Sequence, residues 1–231
     1  MILERRDFAD RAVLAAALAE TVATRLKAAI AERGEASIAV SGGTTPVQFF
    51  DILSQADLNW GMVSVTLVDE RWVPPDHARS NARMVAENLL KNRAAAARFI
   101  PLYCDAARPE DGLSSILAAL ATVPMPFDVA VLGMGADGHT ASFFPGGDHL
   151  AEALDPDNPA LLTAMNAPGA GEPRITFNLA PILARGLIAL HIEGEEKKTV
   201  LGQALADGPV ADMPVRAVLR SGRPVSVFWA P

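Results

Sequence analysis

The sequence is short of cysteine, of positive charge and of long apolar runs, and each shortage excludes something. Cys104 is the one cysteine, so neither an internal disulfide framework nor a multi-cysteine metal site can form. Lysine and arginine total 20 against 27 aspartates and glutamates, a formal net charge of −7. Nucleic acids and anionic membranes are bound through basic faces, and this balance argues against both as partners. No uninterrupted apolar run reaches the roughly 18 residues that a membrane-spanning helix requires. With 50% hydrophobic and 20% charged residues, the composition is that of a globular chain rather than a disordered or collagen-like one. A chain of 231 residues buries roughly 70% of its unfolded surface without staples. One α/β domain over residues 1–231, in the cytoplasm, is the expected organisation.

The opening residues set two readings against each other. Arginines followed by an apolar, alanine-rich run resemble a secretory leader. Glu4, Asp7 and Asp10, however, fall in or beside what would be its positive region. Leu14, Leu18, Val22, Leu26 and Ile30 then recur every fourth residue, the spacing of one helical face. An amphipathic helix over 7–33 is predicted instead.

After Gly34 the pattern changes to short β-branched runs, each followed by a polar, glycine-bearing loop. Strands are predicted at 37–40, 63–68, 98–103, 127–132, 187–192 and 225–229. Helices are predicted at 46–53, 81–92, 109–121, 179–185 and 195–205. Alternating strands and helices imply crossover connections, and so a mostly parallel sheet with helices on both faces. The nearly continuous apolar strands VSVTLV and FDVAVL agree, since a strand buried on both sides need not alternate. Residues 144–173, rich in Pro, Gly, Asp and Asn, read as a loop-rich excursion from that sheet.

Ligands of open α/β sheets bind beyond the carboxyl ends of the strands, so the loops there carry the chemistry. The first is Ser41-Gly42-Gly43-Thr44-Thr45-Pro46. Thr45 reads as a helix N-cap, with Pro46 in the first turn and Gln48 completing a capping box. Glycines, hydroxyls and free amides at a helix start suit a phosphate, although a plain strand-to-helix turn would look the same. No lysine follows to make it a nucleotide-binding P-loop.

The second loop, Asp69-Glu70-Arg71-Trp72-Val73-Pro74-Pro75, follows an apolar strand. Three charges there either face a wet cleft or pair with one another at the surface. Arg71 could grip a carboxylate or phosphate through two nitrogens. Ser80 and Asn81 open the next helix, with Ser80 as its cap.

The third loop runs from Gly133 to Gly146. Gly133, Gly135 and Gly138 match the dinucleotide fingerprint only formally, because Pro145-Gly146-Gly147 interrupts the helix that the fingerprint needs. Its notable pair is Asp137-x-His139. A neutral imidazole can take a proton from water near pH 7, and an acid two residues away can orient it. A purely structural histidine is the competing reading. His77, His149 and His191 carry no comparable signal, and no histidine pair has the spacing of a zinc site. Lys197, in Gly194-Glu195-Glu196-Lys197-Lys198, and Arg174, in Pro173-Arg174-Ile175-Thr176, are further cations that could meet an anion or could simply be solvated.

At these residues the chain resembles the 6-phosphogluconolactonases. SGGTTP, DERWVP with Ser80-Asn81, GMGADGHTASFFPG, PRITFN and GEEKK occur in the order of that family, over nearly the whole chain. The first two loops are shared with a wider group that includes the glucosamine-6-phosphate deaminases. The resemblance implies a modified doubly wound sheet of the NagB/RpiA-like kind and hydrolysis of 6-phospho-D-glucono-1,5-lactone. It implies no metal and no organic cofactor, and leaves the oligomeric state open. Deaminases of the group carry a glutamate after the D-G-H triplet. Here residues 140–145 contain Phe143 and Phe144 and no acid, which favours ester hydrolysis over amino-sugar isomerisation or a non-catalytic sugar-phosphate sensor. The implied roles are His139 as base, Asp137 as its orienting acid and Arg71 as oxyanion partner. Ser41, Gly42, Gly43, Thr44, Thr45, Asp69, Asn81, Gly135, Arg174 and Lys197 are the implied substrate and phosphate contacts.

Overall fold

The computed structural model describes residues 2–184 and 186–231. In chain order the elements are β1 (Ile2–Asp7), α1 (Arg11–Arg33), β2 (Ala36–Val40), α2 (Val47–Leu53), β3 (Val63–Leu67), β4 (Asp69–Arg71), α3 (Asn81–Asn88), β5 (Arg98–Ile100), α4 (Pro109–Leu120) and β6 (Val129–Leu132). They continue with α5 (Leu150–Leu154), β7 (Leu162–Met165), β8 (Arg174–Phe177), α6 (Leu179–Leu183), β9 (Leu187–Glu193), α7 (Glu195–Leu205), α8 (Val215–Leu219) and β10 (Pro224–Ala230).

The expected N-terminal helix exists but starts later, at Arg11. The Asp10 carboxylate accepts from the Val13 amide at 2.8 Å, satisfying one of the helix's free first-turn donors. Leu14, Leu18, Val22 and Leu26 are fully buried. Gly34 then ends the helix at φ 83°, a left-handed conformation that favours glycine. Ile2–Asp7 form β1, which the spacing did not reveal. β1 pairs in parallel with β10, from Ile2 beside Pro224 to Asp7 beside Trp229. The Arg6 guanidinium lies 4.8 Å from the centre of the Phe228 ring, helping to hold this edge.

Seven parallel strands make the main sheet, in the order β1-β10-β9-β6-β2-β3-β5. All residues of β2, β3 and β6 are buried, so both faces of the sheet are covered at its centre. This is the mostly parallel, doubly wound α/β fold that the alternation predicted. From β2 the chain runs outward to β3 and β5, then returns to place β6 on the other side of β2. That reversal opens a crevice beyond the carboxyl ends of β2 and β6, where such folds bind ligands.

The excursion at 144–173 is more ordered than its composition suggested. It contains α5 and β7, and β7 pairs with β8 and β8 with β4 in a three-stranded antiparallel sheet. Val68 joins the two sheets, its amide donating to the Val40 carbonyl and its carbonyl accepting from Phe177, both at 2.9 Å. The predicted end of a helix at Arg185 lies outside the described residues. The expected cap at Thr45 is not made: α2 begins at Val47, with Pro46 before it at φ −80°, ψ 0° and no side-chain cap bond. A helix-like proline ahead of the first turn moves the start beyond the reach of Thr45.

Candidate active site

One cavity of about 260 Å³ lies at the crevice and gathers residues from four loops. Ser41, Gly42, Gly43, Thr45, Asp69, Arg71, Asn81, Gly135, His139, Arg174 and Lys197, all expected contacts, line it. Two expected residues stand apart. Thr44 is exposed and faces a separate groove with Arg11 and Asp51. Asp137 does not line the cavity; its carboxylate meets the His139 ring instead.

The loop after β6 builds the acid–imidazole pair. The Gly135 amide donates to the His139 carbonyl at 2.8 Å, and the Thr140 hydroxyl donates to the Gly133 carbonyl at 2.7 Å. These bonds close a tight turn that sets Asp137 Oδ1 2.6 Å from His139 Nδ1. The same oxygen accepts from the His139 amide at 3.1 Å. The pair seats closely on Gly135, where a Cβ would lie 2.1 Å from His139 Nδ1 and 2.5 Å from Asp137 Oδ1, so any larger residue would displace both side chains. The bond to His139 holds the Asp137 carboxyl down from 3.8 to about 2, so Asp137 is ionised at neutral pH. With Nδ1 engaged, Nε2 is the nitrogen left for chemistry. The His139 ring also packs on Phe144, with centroids 4.2 Å apart.

This pairing has a measurable consequence. In a His139→Asn variant the Asp137 titration, followed by carboxyl-carbon NMR, is expected to rise from about 2 toward 3.8. An acid whose folded-state pKa is depressed stabilises the fold above its ordinary pKa and loses that contribution as pH falls toward the depressed value. The wild-type pair therefore weakens between about pH 3.8 and 2.

The glycine turn after β2 faces this pair across the crevice. The Ser41 hydroxyl accepts from the Gly133 amide at 3.1 Å, tying the two loops together. Among the described residues, the amides of Gly42, Gly43, Thr44 and Thr45 have no protein acceptor, leaving donors for an anion. Gly42 lies close against the Asn81 amide, where a Cβ would come within 1.9 Å of Oδ1. Asn81 is 2% exposed; its Nδ2 donates to the Asp69 carbonyl at 2.9 Å, while its Oδ1 has no partner.

Glu70 does not face the cleft and instead anchors the second loop. It is fully buried and accepts from the amides of Arg71, Asn81 and Ala82 at 2.7–2.8 Å. Burial pushes its carboxyl up, against the pull of those three amides. Ser80 caps α3 as expected, accepting from the Arg83 amide at 3.2 Å. Asp69 is buried as well, taking the Ser142 hydroxyl at 2.6 Å and facing Arg174 Nη1 at 3.6 Å.

Four cations reach the cavity: Arg71, Arg79, Arg174 and Lys197. Arg71 and Arg174 are opposed in the β4–β8 register. Arg71 Nη1 donates to the Arg79 carbonyl at 2.6 Å, and its Nε is buried without a partner. Arg174 lies 5.2 Å from the Phe144 ring centre; burial draws its pKa down although Asp69 opposes this. Arg79 pairs with Glu172 at 2.6 Å. Lys197, in the first turn of α7, has no ion-pair partner among the described residues. Sequence reasoning missed Arg79, Phe144 and His191 as wall residues. Arg79 sits next to the recognised Ser80-Asn81, whereas His191 lies mid-strand and carries no local signal.

Fold and site together define an enzyme family. The chain belongs to the glucosamine-6-phosphate isomerases/6-phosphogluconolactonase family, whose model matches residues 9–229. Its relatives include 6-phosphogluconolactonases. The one from Mesorhizobium japonicum is 58% identical, over 97% of this chain and 94% of that protein. The one from Rhizobium meliloti is 55% identical, over 97% of both. The crystal structure of a 6-phosphogluconolactonase from Shewanella baltica matches with a TM-score of 0.96 and 43% identity, covering 99% of this chain and 98% of the other. Among the described residues no helix is long and apolar enough to cross a membrane.

Proposed function

We propose that the protein hydrolyses 6-phospho-D-glucono-1,5-lactone to 6-phospho-D-gluconate, as the one domain and in the cytoplasm that the sequence suggested. The observation that carries this is the Asp137–His139 pair set on the same cavity as an anion-ready glycine turn. The phosphate rests on the free amides of the turn, with Lys197 supplying charge. His139 Nε2 takes a proton from water, and the hydroxide attacks the lactone carbonyl carbon. Asp137, already ionised, stabilises the imidazolium that forms. Arg174, 5.2 Å from the Phe144 ring that stacks on His139, and Arg71, opposite it in the β4–β8 register, steady the oxyanion. The tetrahedral intermediate collapses with cleavage of the bond to the ring oxygen, which takes the proton back from His139. Water is consumed, and the enzyme returns to its starting state.

Residues 140–145 carry no acid, and Asp69 is committed to Ser142 and Arg174. A second proton-transfer carboxylate for amino-sugar isomerisation is therefore not supplied by this loop. The deciding assay offers the protein the phosphorylated lactone and, separately, glucosamine 6-phosphate. Acid release from the first and no ammonia from the second is expected; ammonia release would transfer the protein to the deaminases. For Lys197→Ala, KM is expected to rise about tenfold with kcat within about threefold, because the lysine holds ground and transition states alike. Lost kcat at unchanged KM would place Lys197 in the chemical step.

A further inference from the structure

His191 is 3% exposed, yet it lines the cavity. Its Nε2 faces Glu193 Oε1 at 3.1 Å, and Glu193 in turn faces Arg11 at 3.5 Å. A carboxylate beside Nε2 makes that nitrogen the donor, which fixes what the other nitrogen can do. Nδ1 is buried and has no partner, a rare condition that a bound ligand would relieve. The ring lines the same cavity as the glycine turn. Phe49, near the start of α2, meets it edge-on at 6.2 Å between centroids. Lys197 follows six residues later, in the first turn after the same strand.

We propose that His191 is a further phosphate-binding residue, its Nδ1 donating to a phosphate oxygen of the substrate while Glu193 holds the ring through Nε2. This rests on the reading that the cavity takes a phosphorylated sugar lactone. A ring already donating through Nε2 meets a phosphate oxygen by carrying a second proton on Nδ1. Glu193 balances the charge this creates, so binding takes up a proton without disturbing the pair at His139. Asp137 and Glu193 thus do parallel work for two imidazoles, one for the reaction and one for the anchor.

Calorimetric titration with inorganic phosphate, 6-phosphogluconate and gluconate tests this in wild type, His191→Phe and His191→Asn. His191→Phe is expected to weaken both phosphorylated probes about tenfold, the scale of one charge-assisted hydrogen bond. Gluconate affinity should stay the same and kcat should remain within about twofold. His191→Asn, whose amide can donate from near the Nδ1 position, should recover part of the loss. Equal weakening for gluconate and 6-phosphogluconate would reduce His191 to a packing residue. In the wild type, where folding is not in question, inorganic phosphate should shift the ¹⁵N signal of His191 Nδ1; an unmoved signal overturns the proposal. If wild type binds neither phosphorylated probe, the phosphorylated-lactone reading fails and this proposal with it. If wild type binds both and His191→Phe binds them equally well, the His191 role alone fails.

Discussion

Replacing His139 with asparagine is expected to lower kcat for lactone hydrolysis by about 100- to 10,000-fold, the usual contribution of a positioned general base. KM should stay near wild type, because the proposed phosphate anchor is the glycine turn after β2 and not His139. The change should leave the fold in place. The His139 side chain is 30% exposed, and the turn that carries it is closed by backbone bonds at Gly135 and Gly138. Rates must be taken above the lactone's own hydrolysis in water, under matched buffer. Turnover within a few-fold of wild type would remove the imidazole from the reaction and leave the mechanism without its base.

The second large effect comes from a residue with no side chain of its own. Gly135→Ala places a methyl group 2.1 Å from His139 Nδ1 and 2.2 Å from its Cε1. Both are side-chain atoms, so the ring and the Asp137 carboxylate must move while the backbone can stay. A displacement of about 1 Å in a catalytic group costs on the order of 100-fold, and kcat should fall by that much. Thermal midpoint and 6-phosphogluconate binding should change little, and the depressed Asp137 titration should move toward its ordinary value. A variant of wild-type rate would show that the pair tolerates the methyl group, and that its close seating on Gly135 is incidental.

These two expectations draw on different depths of information. His139 stood out in the bare sequence because a glycine-rich stretch after an apolar strand carried an acid and an imidazole two residues apart. Gly135 was named there as a contact, but the close passage of the His139 and Asp137 side chains over its α-carbon is visible only in three dimensions. The turn at Ser41–Thr45 was legible as a candidate anion site, and most of it lines the cavity. Its cap was not, because the helix-like proline moves the helix start away from Thr45. Asp69, Glu70 and Arg71 read as three charges facing a wet cleft or pairing at the surface, with Arg71 the one suited to grip an anion. In the structure they divide into a buried partner of Ser142 and Arg174, the anchor of α3, and a cavity cation.

Local pattern alone determined the parallel centre of the sheet, because β2, β3 and β6 are short, largely apolar and buried runs between helical segments. Pattern also placed the loops at strand ends and marked the Asp137–His139 pair, since both signals lie within a few consecutive positions. The tertiary structure decided what depends on distant partners. β1 exists because β10, more than 200 positions later, offers it an edge. β4 and β7 exist because β8 joins them. Arg79 and His191 reach the cavity because the strand order reverses beside β2. A strand of three to six residues takes its stability from hydrogen bonds to its neighbours, and a cavity wall takes its identity from the surfaces that meet there. Neither quantity is stored in any one stretch of chain.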